Sequence, residues 1–144
     1  VYKFLEEVVY KNTSINSDKY YLRATSNSKK YNELLLRMIQ YFKINTIIES
    51  YNKTESDIIE NLNVIEVMIF GVSETNYTLY EHSLKKINEC SVFVIDGLRS
   101  SDYQLNFWKK IQSDHRAIVT IDLFEIGIVF FRTQQPKENF LIGY

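Results

Sequence analysis

Glycine occurs only four times in this 144-residue chain, proline once and cysteine once. No glycine stands between Val1 and Phe70, so no turn in that half can rely on a bare, left-handed backbone. A lone Cys90 excludes an internal disulfide and a multi-thiolate metal site. It directly precedes an apolar run and is read as a buried, inert thiol. The two histidines, His82 and His115, stand far apart and outside any ligand spacing, so no metal is expected. Glycine-rich nucleotide loops, the P-loop and local Ser-His-Asp or Cys-His signatures are absent. Long hydrophobic runs are missing too: Val92 to Ile95 is strand-length and too short to span a bilayer.

An excess of either charge is also lacking. Seventeen basic and 18 acidic side chains give a net charge of −1. That removes the electrostatic reason to expect nucleic acid or an anionic membrane as partner. The pairs Lys29-Lys30, Lys85-Lys86 and Lys109-Lys110 are scattered over solvated helix faces and form no basic track. Val1 to Tyr10 carries Lys3, Glu6 and Glu7, which is no signal peptide, and a cytoplasmic location is expected. The chain opens on Val1 rather than Met, which suggests a piece of a longer protein.

What is present fits one globular domain: 45% hydrophobic and 24% charged residues, with 11 tyrosines. The abundance of Asn, Ile, Lys and Tyr suggests an AT-rich bacterial genome. Val1, Phe4, Leu5, Val8 and Val9 share a helical face, and Asn12 to Lys30 reads as a polar connector. Ser28 would cap a second helix whose stripe is Tyr31, Leu34, Leu35, Met38, Ile39 and Phe42. A short strand, Asn45 to Glu49, follows, and Thr54 to Leu62 reads as two helical turns. Asn63 to Phe70 is apolar enough on both faces for an interior parallel strand.

Helix Glu74 to Asn88, strand Ser91 to Ile95 and helix Ser101 to Ser113 continue the alternation. Strands alternating with helices of this length predict a mostly parallel sheet covered on both faces. Arg116 to Leu123 and Ile126 to Arg132 are separated only by Phe124-Glu125, so those two strands must be antiparallel. Phe140 to Ile142 would add a last short strand after the Pro136 turn.

Three blocks carry a resemblance. Thr120 to Arg132 resembles the segment that closes one bacterial group of class I S-adenosylmethionine methyltransferases, a "T-I-D-L-F-x-(I/V)-G-(L/I)-V-F-F-R" stretch. Asn32 to Phe42 is similar to the helix before that group's first sheet strand, and Val1 to Leu5 to its N-terminal helix. Together they cover about half the chain, the C-terminal block being the most specific. The resemblance implies a three-layer, Rossmann-like sheet, mostly parallel, with an antiparallel C-terminal hairpin and reduced in size. It also implies S-adenosylmethionine as the cofactor of an active member. The departure lies after the first strand, where the family has a glycine-rich turn against the cofactor. Here Glu49 is followed by Ser50, Tyr51, Asn52, Lys53 and Thr54.

Two site residues follow. Glu49, by the resemblance the acid ending the first strand, would accept hydrogen bonds from the cofactor, or else is a solvated strand-end acid. Asp96, before Gly97, resembles the family's acid at the substrate edge and would be the catalytic candidate, or else caps its turn. Asp102 and Asp122 add carboxylates near it in sequence. Tyr103, Phe107 and Trp108 form either an adenine-stacking surface or, more ordinarily, core. The expected function is a degenerate methyltransferase-like domain, a pseudoenzyme without cofactor binding that acts by protein contact or self-association. A working methyltransferase on a small-molecule acceptor is the alternative. The edge of the terminal hairpin is the expected docking surface.

Overall fold

A computed structural model of the protein describes residues 4, 29–50 and 59–143. The expected helix from Val1 to Lys11 (Phe4 excepted), the connector from Asn12 onward with its Ser28 cap, and Tyr51 to Ile58 lie outside the described residues.

Helix α1, Lys29–Phe42, enters strand β1, Ile47–Glu49. Between them the amides of Asn45 and Thr46 donate to the Glu66 carboxylate at 3.2 and 2.6 Å. Strand β2 is Val67–Phe70, helix α2 is Asn76–Ser83 with a 3₁₀ turn at Leu84–Lys86, and strand β3 is Val92–Asp96. Helix α3 is Asp102–Ser113, strand β4 Val119–Asp122, strand β5 Ile126–Phe130 and strand β6 Glu138–Leu141. The helix expected over Glu74 to Asn88 is thus shorter, and Tyr77 lies 40% exposed, whereas Tyr80 is buried. Ser101 caps α3 as its sequence implies, accepting a hydrogen bond from the Gln104 amide.

The six strands form one sheet in the order β1-β2-β3-β5-β4-β6. Pairs β1–β2, β2–β3 and β4–β6 are parallel, while β5 runs antiparallel to both β3 and β4. The antiparallel hairpin exists, but it is not a free edge. Its second strand is inserted beside β3, and its first strand is covered by β6, which is parallel to it. The inserted position explains the sequence of β5, whose five residues are all buried because both faces are covered.

Alternation along the strands divides the core into two layers. Val67, Ile69, Val92, Val94, Ile121 and Ile128 meet Tyr31, Leu34, Leu35 and Met38 of α1. Met68, Phe70, Phe93, Ile95 and Val129 meet Tyr80 of α2 and Phe107, Trp108 and Ile111 of α3. Among the described residues, α1 and the helical Phe4 pack on one face, and α2, α3 and the helical Ile59 on the other. Gly127 is required at its place: a β-carbon there would stand 2.5 Å from the Trp108 ring. No helix among the described residues is long and apolar enough to cross a membrane.

Cys90 is exposed, contrary to the expectation of burial. It sits on the turn before β3, where its amide donates to Asn88 Oδ1 at 2.8 Å. The buried member of that turn is Ser91, whose hydroxyl donates to the Ile65 carbonyl at 2.6 Å. Burial begins one residue later than the apolar run suggests.

Candidate functional site

Strands β1, β2, β3, β4 and β6 all run the same way, so their C-terminal ends form one rim. In open α/β sheets that rim is where ligands bind. Glu49 and Asp96 both stand on it. Ile48 belongs to the α2/α3 layer and Val94 to the α1 layer. By alternation Glu49 and Asp96 therefore lie on the α1 face, with β2 between them; Glu49 stands level with Val94, so the two backbones are roughly 12 Å apart. Glu49 is half-buried, and Asp96 is buried at 6% exposure.

Asp122 is on the other face. Its carboxylate takes two hydrogen bonds from Arg99, at 2.7 and 2.9 Å, one from Trp108 Nε1 at 3.3 Å and one from the Phe124 amide at 2.8 Å. Burial alone would push its pKa up; the Arg99 and Phe124 donors and the Arg99 charge outweigh that and hold it below the ordinary carboxylate range. Asp102 is exposed on the first turn of α3. The four carboxylates named from sequence do not converge: Glu49 and Asp96 share a face, Asp122 is committed to Arg99 on the opposite one, and Asp102 faces solvent.

The rim is built chiefly from two amides. Asn76 is buried, and its Nδ2 donates to the Gly71 carbonyl at 2.6 Å and to Gln104 Oε1 at 2.9 Å. Gln104 is fully buried, and its Nε2 donates to the Asp96 carbonyl at 2.7 Å and to the Gly71 carbonyl at 3.2 Å. These contacts tie the strand ends of β2 and β3 to the first turns of α2 and α3. Immediately after Glu49, the Ser50 amide continues the ladder to Ile69, and the Ser50 hydroxyl accepts from the Gly71 amide at 2.7 Å. At Gly97 the backbone is left-handed (φ 62°), and a β-carbon would stand 2.6 Å from Val72. Ser100 donates from its hydroxyl to the Gly97 carbonyl at 2.8 Å. The loop is then fastened to the hairpin, with Leu98 N on Glu125 O at 3.0 Å and Arg99 also on the Phe124 carbonyl at 2.6 Å. Glycine serves here to pack and turn this chain's own loop.

Sequence reasoning missed Asn76 and Gln104, although a signal existed. Gln104 falls on the stripe Gln104, Phe107, Trp108, Ile111, and a polar residue on an apolar helix face demands a buried partner. Of the aromatic group, Phe107 and Trp108 are core while Tyr103 is 42% exposed, so these rings do not form one open stacking surface.

A separate open groove of about 730 Å³ is lined by Tyr77, Lys109, Lys110, Asp114 and Arg116. Its Arg116, Asp114 and Lys110 charges have partners within the molecule. Arg116 pairs with Glu81 at 2.6 Å and with Asp114 at 2.9 Å, and Lys110 lies 4.7 Å from the Tyr77 ring centre. The Arg116 bonds draw the exposed Glu81 carboxyl below its ordinary pKa. No group of three or more His, Cys, Asp or Glu side chains among the described residues could hold a metal ion. No protein-family model, curated protein or solved structure matches the chain.

Proposed function

We propose that the chain is a methyltransferase-like α/β domain that no longer holds S-adenosylmethionine and works through protein contact. The observation carrying this reading is that, among the described residues, main-chain groups at the ends of β2 and β3 are bound within the molecule. A nucleoside cofactor needs main-chain amides and carbonyls left open at the strand ends. Here the Gly71 amide is taken by Ser50, the Gly71 and Asp96 carbonyls by Asn76 and Gln104, and the Gly97 carbonyl by Ser100. The inserted antiparallel β5 supports the family resemblance at the level of topology, since the Thr120 to Arg132 block supplies β5 and most of β4. A hydrophobic framework tolerates such a change because sheet packing and rim chemistry use different residues.

A second reading, a binding-competent methyltransferase, is favoured by one fact: Glu49 and Asp96 share the α1 face at the strand ends. Isothermal titration with S-adenosylmethionine and S-adenosylhomocysteine separates the two. The first reading expects no saturable heat with either ligand at about 1 mM, a regime of weaker than −4 kcal/mol. Micromolar binding that Glu49→Gln abolishes overturns it in favour of the second.

A further inference from the structure

We infer that strand β6 is a docking edge, and that its occupant is a second copy of this chain, paired antiparallel about a two-fold axis at Leu141. This rests on the protein-contact reading above and names the surface it would use.

Strand β6 closes the sheet order, and no described strand pairs with its outer side. The Glu138 amide donates to the Ile118 carbonyl and the Ile142 amide to the Asp122 carbonyl, both at 2.9 Å. Even-numbered residues therefore face β4, and the alternation turns the N–H and C=O of Asn139 and Leu141 outward. Such an edge is normally guarded by a lysine projecting over it, a proline or a bulge. The lysine here is withdrawn: Lys137 Nζ donates to the Ala117 carbonyl and to Asn139 Oδ1, against the body of the protein. Beside the open groups stands Leu141, 75% exposed, paired in register with Asp122 of β4.

The distribution of charge selects the partner. Lys137 and Glu138 lie at the start of the strand and Phe140, Leu141 and Ile142 at its end. Antiparallel pairing of two copies about Leu141 sets Leu141 against Leu141, Phe140 against Ile142 and Asn139 against Gly143. Like charges are carried to opposite ends, and the apolar ends meet at the axis. Leu141 and its copy exchange both main-chain hydrogen bonds. The contact is short, so a weak, concentration-dependent dimer is expected.

Sedimentation analysis of the whole chain up to about 0.5 mM reads the association as a rise in weight-average mass with concentration. Leu141→Pro removes an outward N–H together with the exposed leucine side chain at the axis, and leaves the β4 ladder intact. It is expected to weaken dimerisation at least about tenfold, with an unchanged circular dichroism spectrum and unfolding midpoint. In a Cys90→Ser background, Leu141→Cys is expected to oxidise to a covalent dimer, since hydrogen-bonded antiparallel partners lie about 5.5 Å apart. Asn139→Cys in the same background stays monomeric. A strict monomer at the highest concentration overturns the inference, as does a dimer indifferent to Leu141→Pro or one cross-linked more readily through position 139. Cofactor binding in the titration above would remove the protein-contact reading and leave these outcomes unaltered, so the two can fail separately.

Discussion

Gly127→Ala tests a close packing contact between the sheet and α3. The added methyl would lie 2.5 Å from two carbons of the Trp108 ring and 2.8 Å from a third, all on the six-membered half of the indole. Trp108 is 1% exposed and also hydrogen-bonded to Asp122, so it has little room to retreat. Overpacking of this kind costs about 1–3 kcal/mol, and a contact with three ring atoms belongs at the upper end, about 3. Against that, replacing glycine lowers the entropy of the unfolded chain, a gain of about 0.4–1 kcal/mol. The net destabilisation is then about 2 kcal/mol, which lowers a urea midpoint by about 1 M at a slope of about 2 kcal/mol per M. Trp108 is the chain's single tryptophan, so its fluorescence follows the transition from the site itself. Trp108→Phe removes the atoms that collide. In that background the same Gly127→Ala change should cost less than about 0.5 kcal/mol, giving a coupling energy above about 1 kcal/mol. Equal costs in the two backgrounds, or a Gly127→Ala protein as stable as its parent, would refute the packing argument.

Three further outcomes follow from the polar contacts. Gln104→Leu deprives the Asp96 carbonyl of its donor inside the core and should destabilise by about 1–3 kcal/mol in urea titration, whereas Gly71 keeps Asn76. Asp122→Asn should flatten the acid limb of the stability curve. The folded Asp122 pKa is depressed, so its contribution is complete above the unfolded value near 3.9 and is lost as pH falls through the folded value. The parent should therefore lose more stability below about pH 4 than the variant does. Arg116→Ala, by contrast, breaks ion pairs 42% exposed on the arginine side and should cost no more than about 1 kcal/mol, less at high salt.

Hydrophobic periodicity made most of the elements legible. The α1 stripe from Tyr31 to Phe42, the all-apolar β2, the apolar run Val92 to Ile95 of β3, and the Ser101 cap of α3 each follow from local residue choice. So does the antiparallel sense of β4 and β5, because the short Leu123-to-Glu125 turn cannot cross over. Helix α2 was less legible. Its pattern continues past Ser83, but the last turn tightens into a 3₁₀ segment at Leu84–Lys86, and Tyr77 turns outward toward Lys110. Cys90 was misjudged because an apolar run does not mark the residue at which a chain passes from turn into core.

The sequence by itself determined where the main apolar stripes fall, where helices and strands alternate, and that glycine is missing from the first strand's end. Those properties are local, set by side-chain periodicity and backbone sterics. Only the tertiary structure decided the insertion of β5 beside β3, the placing of β6 at the edge, and the face each carboxylate occupies. Strand order depends on contacts between distant segments, and no local pattern states that Asp122 will meet Arg99 while Asp96 points to the other side. The same holds for the rim, where Asn76 and Gln104, 28 residues apart, become one hydrogen-bonded pair only when two helices pack on one sheet.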